Sequence, residues 1–260
     1  MGSFVAGSAA AEEPSLSIFK ENYVTTGIPL NARPNWDTND VAFQISARYK
    51  LPWVIGEKGW DMYIAYTQLS LWDVYRASNP IKSQTFMPCF YLYRQLGSGP
   101  DGVINDLMIG YEHRSNGYAG DKSRTLDFLF ATYTHTFSGR FTALLTGRFG
   151  VGSIYNTFSL EMFNRYQGYC TAALCYHTRD RSFMASASAT PLFMGDIPAN
   201  VSAEIAWRPK FTAGLYLVAR YHYGYDENQL DCAVPDVFLK HMLRFGVALQ
   251  PGTLSHKLCF

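Results

Sequence analysis

The chain has 260 residues, of which 48% are hydrophobic, 16% aromatic and only 17% charged, and its formal net charge is +1. The near-neutral charge, with no basic block, argues against a nucleic-acid partner. No run of about 18 apolar residues is present to form a transmembrane helix. A membrane β-barrel remains open, because its strands alternate between lipid and lumen and so keep the average hydropathy low.

Near the N-terminus, residues 4–14 (FVAGSAAAEEP) place a run of small residues before a polar stretch. Signal peptidases accept such a sequence, although a basic start and a full apolar stretch are absent. We interpret residues 1–14 as an N-terminal segment and a candidate export-signal remnant. Residues 15–260 are predicted to form a single barrel domain, because no linker, repeat or composition shift divides them.

Alternation with a period of two dominates the rest of the sequence. In VAFQISARY (41–49) the odd positions are apolar, while Gln44, Ser46 and Arg48 face the other way, and NVSAEIAWR (200–208) repeats the pattern. One apolar face and one polar face indicate β-strands between lipid and lumen. We predict twelve strands, at about 20–27, 40–49, 60–71, 84–95, 103–115, 123–136, 140–151, 165–177, 181–190, 199–208, 212–225 and 238–249.

The predicted connections differ in length at the two ends of the barrel. SGR (138–140), TRD (178–180) and PK (209–210) are tight turns. The longer connections all fall at the opposite end: 72–83, 152–164, 191–198 and 226–237. Short turns at one end and long loops at the other are typical of bacterial outer-membrane barrels, although 50–59 and 96–102 are longer than this rule prefers. Both termini then lie at the periplasmic end.

The predicted lumen is polar. We expect a hydrogen-bonded network inside the barrel, in an interior that need not conduct, formed by Arg48, Glu204, Arg208, Arg220 and Arg244.

The stretch YEHRSNGYAGDKSRTLD (111–127) carries the candidate chemistry. Strand parity places His113 and Ser115 on the same face as apolar neighbours, which is the lipid side. A hairpin centred near Gly120 would set Asp127 opposite His113. Nucleophilic acyl transfer requires this set: the imidazole takes the serine proton, and the carboxylate fixes the tautomer. A backbone N–H near Gly117 is a candidate oxyanion donor.

Other interpretations remain open from these residues alone. A His-x-Ser pair arises often by chance, and a barrel rim can carry polar residues in the headgroup zone without a function. Neither His113 nor Ser115, however, has a packing reason to face lipid. The alternative is a non-catalytic outer-membrane barrel, either a narrow channel or a structural protein. A soluble all-β binding protein fits least well.

GYEHRSNGYAGDKSR resembles the signature of the bacterial outer-membrane phospholipase A family, Gly-Tyr-x-His-x-Ser-Asn-Gly followed shortly by Ser-Arg. YTQLSLW (66–72), NARPNWDTNDVAFQIS and YGYDENQLD are similar to further landmarks, so the resemblance covers most of the chain. It implies an all-β, twelve-stranded antiparallel transmembrane β-barrel in the bacterial outer membrane. It also implies hydrolysis of phospholipid acyl esters (A1/A2 type), a requirement for Ca²⁺, and activity as a homodimer.

The resemblance also assigns roles by position. It implies that Ser115 is the nucleophile, His113 the general base and Gly117 the amide donor of the oxyanion hole. The third triad position is asparagine in the best-known members and Asp127 here. A carboxylate holds an imidazolium better than an amide does, so this departure strengthens the expected chemistry.

Calcium and dimer residues follow from the same resemblance. Calcium is expected at the Ser123 hydroxyl and the Tyr118 carbonyl, with a carbonyl near Ser78 contributed by the partner subunit. Gln68 shares the lipid-facing parity of Tyr66, and the family uses a glutamine here to pair subunits, which makes dimerisation the expected switch. The alternatives are a turn serine at 123, a loop cap at 78 and an interface-zone polar residue at 68.

Overall fold

The chain folds into one antiparallel sheet that closes on itself. A computed structural model describes residues 15–36, 38–55, 59–120, 123–137, 139–151, 163–194, 196–212, 214–225 and 239–249. The N-terminal segment 1–14, the connection predicted at 226–237 and most of the one at 152–164 lie outside the described residues.

Thirteen strands are present in the described part of the chain. They are β1 (Leu16–Ser17), β2 (Asn22–Pro29), β3 (Asp40–Ile55), β4 (Trp60–Trp72), β5 (Ile81–Ser98), β6 (Ile104–Ser115), β7 (Thr125–Phe137), β8 (Phe141–Gly150), β9 (Cys170–His177), β10 (Phe183–Pro191), β11 (Ala199–Trp207), β12 (Leu215–Gly224) and β13 (Lys240–Leu249). A 3-10 turn at Pro100–Gly102 and a π-helical turn at Phe163–Gln167 complete the described elements.

Twelve of these strands form the barrel. From β2 to β13 each strand pairs with the next, and β13 pairs back onto β2, while the short β1 adds to β3 beside β2. The predicted twelve-stranded antiparallel barrel is therefore confirmed. Closure leaves no free sheet edge, which is what a strand-built protein needs in lipid, where an unpaired backbone group is costly.

The outer wall is apolar over most of its surface. Side chains of alternate residues project outward and are well exposed, including those of Val24, Ile45, Ile64, Ile109, Leu129, Leu145, Leu174, Ile205, Leu217 and Phe245. No described helix combines the length and hydropathy needed to cross a membrane.

Most connections lie as the sequence predicts, but the one predicted as the tight turn PK (209–210) is longer, because β11 ends at Trp207 and β12 begins at Leu215. Tight turns join β7 to β8 and β9 to β10 at the end that also holds β1, which is the predicted periplasmic end. The connections 73–80 and 116–124 lie together at the opposite, outer end, because β4 and β6 both run toward it and β5 runs between them.

One predicted strand starts too early. The sequence places a strand over 165–177, whereas β9 begins at Cys170 and the residues before it turn inward over the outer mouth. Gln167 is buried and accepts a hydrogen bond from the Arg114 guanidinium at 2.8 Å, and the Tyr166 carbonyl accepts one from Asn200 at 2.7 Å. These polar contacts with lumen side chains take the place of the backbone hydrogen bonds that a strand would make with its neighbour.

Residues 18–21, between β1 and β2, form a bulge that projects into the lumen, which we call the inward bulge. Phe19 stacks on Tyr91 with ring centroids 5.2 Å apart. The Lys20 ammonium pairs with Glu112 of β6 at 3.0 Å, and Glu21 pairs with Arg220 of β12. The inward bulge thus ties β6 to β12 through the barrel interior.

Further ion pairs fill the lumen. Arg114 pairs with Glu112 at 2.8 Å, Arg220 with Glu204 at 2.5 Å, and Arg244 with Asp40 at 2.6 Å. A Cβ at Gly27 would lie 2.5 Å from the Arg244 guanidinium, so a larger residue there would require the Arg244 side chain to shift. A cavity of about 170 Å³ in the lumen is lined by Lys20, Glu112, Arg114 and Gln167, among other residues.

The predicted lumen network is correct in part. Arg48 and Arg244 are buried in the interior, and Glu204 and Arg220 pair there. Arg208 follows the end of β11 and donates to the carbonyl of Asp180 at 2.6 Å, so it braces a periplasmic turn instead.

Replacing Glu112 with alanine tests the lumen network. The substitution leaves the buried Arg114 and the partly buried Lys20 without their shared carboxylate, and breaking a buried pair costs about 3–5 kcal/mol. Urea unfolding in phospholipid vesicles should show that loss. As a control, Asp61→Ala removes a partly exposed pair with Lys50 and should cost less than about 1 kcal/mol. Equal losses of unfolding free energy in the two variants would contradict the assignment of Glu112 to a buried ion-pair network.

Candidate active site

The β6–β7 hairpin brings His113, Ser115 and Asp127 onto one face. Its register pairs His113 with Asp127 and Ser115 with Thr125, as the sequence predicts. Glu112 and Arg114, the residues on either side of His113, are buried in the lumen. His113 and Ser115 therefore project from the lipid-facing wall, near the outer end of the barrel.

His113 and Asp127 are in direct contact. His113 Nδ1 lies 2.7 Å from Asp127 Oδ1, and 34% of the histidine side chain is exposed against 8% of the aspartate side chain. Because an ionised carboxylate only accepts hydrogen bonds, the Nδ1 atom carries the hydrogen. That leaves Nε2 as the basic atom of the neutral ring.

A tyrosine that the sequence analysis missed completes this cluster. The Tyr111 hydroxyl donates to the same Asp127 Oδ1 at 2.5 Å. Tyr111 has the outward parity of His113, and parity alone places it among the apolar neighbours on the lipid face. A tyrosine two residues before the histidine, and therefore diagonal to the carboxylate that faces this histidine, is the signal that identifies it.

Ser115 is the last residue of β6 and shares the outer face of His113. Within the described residues its hydroxyl makes no hydrogen bond to the imidazole, so of the three predicted triad residues only His113 and Asp127 are in contact. Catalytic hydrogen bonds are often loose before substrate binds, and a change of rotamer redirects a serine hydroxyl.

The loop after Ser115 is closed by Asn116. Its side-chain oxygen accepts hydrogen bonds from the backbone N–H groups of Tyr118 at 3.3 Å and Arg124 at 3.0 Å. Gly117 adopts a left-handed conformation, with φ of 74°, and a Cβ there would lie 2.6 Å from the Phe86 ring. Glycine is therefore needed at 117 both for its φ and for space.

The predicted calcium ligands lie in two neighbouring loops. Tyr118 and Ser123 belong to the loop that Asn116 closes, whereas Ser78 lies in the 73–80 connection at the same end. Ser78 and Asn79 both have positive φ values, of 74° and 42°. Among the described residues no three His, Cys, Asp or Glu side chains cluster to hold a metal, so a cation here would rely on hydroxyl and carbonyl oxygens. Such hard oxygen donors suit calcium.

Gln68 projects outward from β4 in the same row as the site. The register aligns Gln68 with Phe86, and Phe86 with Ser115. With neighbouring strands about 4.8 Å apart, Gln68 lies roughly 10 Å from Ser115 along this row. Its amide accepts from Tyr66 at 3.4 Å and donates to Ser70 at 3.3 Å.

A closed twelve-stranded barrel with a polar Tyr-His-Asp cluster beside a serine on its outer wall defines a membrane protein whose site faces lipid. The family model of phospholipase A1 matches residues 16–235. The chain belongs to the phospholipase A1 family, and it is an outer-membrane phospholipase. This confirms the family that the sequence resembles.

Solved structures agree on the fold. The outer membrane phospholipase A from Escherichia coli is 20% identical, with a TM-score of 0.77, over 92% of this chain and 100% of that chain. The Salmonella typhi outer membrane phospholipase, a dimer with bound calcium, is 20% identical with a TM-score of 0.75, over 90% and 92%. No curated protein matches this sequence.

Alanine at Gly117 tests the geometry of the loop. Gly117→Ala carries the cost of a left-handed residue, about 1–2 kcal/mol, together with the contact against Phe86. Gly120→Ala is the matched control, because Gly120 also has a positive φ, of 62°, but a Cβ there meets open space. Urea unfolding should show the larger loss for Gly117→Ala, and equal losses would argue against the close approach of Phe86.

Proposed function

We propose that the chain hydrolyses the acyl ester bonds of phospholipids, of A1/A2 type, with Ser115 as nucleophile, His113 as general base and Asp127 as the group that orients the base. The observation that carries this proposal is the 2.7 Å contact between His113 Nδ1 and Asp127 Oδ1, on the lipid-facing wall two residues from Ser115.

The proton path follows from the tautomer. Asp127 holds the hydrogen on Nδ1, so Nε2 accepts the Ser115 proton as the serine oxygen attacks the ester carbonyl. The lysophospholipid leaves with the proton that Nε2 returns, and an acyl-serine forms. Water then hydrolyses this ester, with His113 again acting as the base. The backbone N–H of Gly117 is the proposed donor to the oxyanion.

The position of the site suits this substrate. Phospholipid esters lie at the boundary between the acyl chains and the headgroups, and Ser115 ends its strand near the outer rim of the lipid-facing wall. The ester can therefore meet the nucleophile without full extraction from the bilayer.

Calcium is the proposed cofactor. The Ser123 hydroxyl and the Tyr118 carbonyl would hold it beside Ser115, in the loop that Asn116 closes, and a carbonyl near Ser78 of the partner subunit would complete the set. Bound there, the ion would supply positive charge for the developing oxyanion. The calcium-bound dimer of the Salmonella typhi enzyme supports this assignment.

We also propose that the active form is a homodimer. Gln68 lies in the row of Ser115, so subunits that pair through this face would bring each 73–80 connection toward the site of the other. A monomer would lack the contributed carbonyl and stay inactive, which would protect the membrane of the cell itself.

The inward bulge disfavours the alternative of a narrow channel, because Lys20 and Glu21 pair with opposite walls of the barrel and so place side chains across the described part of the lumen.

Ser115→Ala should abolish hydrolysis of a labelled phospholipid in detergent micelles, because loss of a triad nucleophile lowers kcat by at least about a thousandfold. Thr125→Ala, at the cross-strand neighbour, is the control and should remain active. A calcium chelator should stop the wild type, and added Ca²⁺ should restore it. Full activity of Ser115→Ala, or of the chelated enzyme, would refute the corresponding part of the proposal.

Gln68→Ala should weaken the dimer about fivefold, because a hydrogen bond in lipid contributes about 1 kcal/mol. Sedimentation in detergent gives the dissociation constant, and half-maximal activity should move to a higher protein concentration by the same factor. Asn105→Ala, which removes an outward amide at the periplasmic end of β6, should change neither quantity. Specific activity that is independent of protein concentration would count against the dimer switch.

A further inference from the structure

Two donors converge on a single carboxylate oxygen in the site. Asp127 Oδ1 accepts from the Tyr111 hydroxyl at 2.5 Å and contacts His113 Nδ1 at 2.7 Å. We propose that Tyr111 is a positioning residue for the reaction, which holds Asp127 in the orientation that His113 needs. This inference rests on the proposed roles of Ser115, His113 and Asp127.

The surroundings of Asp127 explain why such a donor is needed. The carboxylate lies on the lipid-facing wall, where an ionised group without hydrogen bonds is costly. Asp127 is only 6% exposed, while Tyr111 is 40% exposed. A charge-assisted hydrogen bond from tyrosine stabilises the ionised carboxylate. It also restrains rotation of the carboxylate, so that Oδ1 keeps facing the ring.

The phenyl ring of Tyr111 has a separate packing role. Its cross-strand neighbours are Phe90 and Leu129, which are both exposed apolar residues on the outer wall. A phenylalanine at 111 would keep these contacts and lose only the hydroxyl. Tyr111→Phe therefore separates the hydrogen bond from the packing.

The same hairpin contains a second cluster of this form at its periplasmic end. The Tyr133 hydroxyl donates to Asn105 Oδ1 at 3.0 Å, and His135 Nδ1 lies 2.6 Å from the same oxygen. The residue two positions after His135 is Phe137, whereas the residue two positions after His113 is Ser115. The cluster at the periplasmic end thus repeats the tyrosine contact without a nucleophile, which makes Tyr133→Phe a matched control.

Tyr111→Phe should lower kcat for a labelled phospholipid about tenfold and leave KM unchanged, since a hydrogen bond to a charged group accounts for roughly one order of magnitude in rate. Inactivation by a sulfonyl fluoride, in which the Ser115 oxygen displaces fluoride, should slow by the same factor, because it requires the activated serine and no phospholipid. Tyr133→Phe should match the wild type in both assays. Both variants should remain folded without urea; Tyr133→Phe should keep an unfolding midpoint near that of the wild type, and Tyr111→Phe should lower it, because the Asp127 carboxylate loses a donor.

A double-mutant cycle shows whether Tyr111 acts through Asp127. In the Asp127→Asn background the acceptor is neutral and its hydrogen bond weaker, so adding Tyr111→Phe should lower kcat about threefold or less. A tenfold loss in both backgrounds would overturn the inference. So would an unchanged kcat in Tyr111→Phe, a rise in KM alone, or an equal loss in Tyr133→Phe. If Ser115→Ala stays active, the proposed function itself fails; if it is inactive and Tyr111→Phe is unaffected, only the inference fails.

Discussion

The structure depends on one constraint: in lipid, every backbone N–H and C=O group must find a partner within the protein. Strand pairing from β2 to β13 and back meets this constraint, and it makes successive side chains point alternately to lipid and lumen. In β6 the consequence is direct. Glu112 and Arg114 belong to the buried ion pairs of the lumen, while His113 and Ser115 stand on the outer wall. Residues of the buried ion pairs and the residues proposed to carry the chemistry therefore alternate along a single strand.

The geometry of the site depends above all on the pairing register of β6 and β7. A slip of one residue between β6 and β7 would separate His113 from Asp127 and turn charged lumen residues toward lipid. Two features on opposite sides of the wall oppose such a slip. Asn116 closes the loop at the top of the hairpin, and Glu112 is fixed from inside by Lys20 of the inward bulge. The lumen network thus supports the geometry of a site that it does not touch.

Local patterns were enough to predict the barrel, the outward parity of His113 and Ser115, and the pairing of His113 with Asp127, because period-two alternation and hairpin register act between near neighbours. The inward bulge escaped prediction, since its partners Glu112 and Arg220 are distant in sequence. The Tyr111 hydroxyl escaped for another reason: parity fixes the face of a residue but not the atom it contacts. The roles of Gly117, Tyr118, Ser123, Ser78 and Gln68 stay predictions, since the oxyanion, the cation and the partner that would define them are not part of the chain.

The proposed dimer switch requires a monomer that persists in the bilayer without its partner. Polar groups on a lipid-facing wall normally oppose this, because each unpaired donor or acceptor is costly there. In this wall the groups satisfy one another: Tyr111 and His113 contact Asp127, and the amide of Gln68 bonds to Tyr66 and Ser70. Because the Gln68 contacts are long, at 3.3 and 3.4 Å, exchanging them for bonds across a dimer interface would sacrifice little. Such a wall suits an enzyme that stays monomeric and silent until a second copy meets the same face.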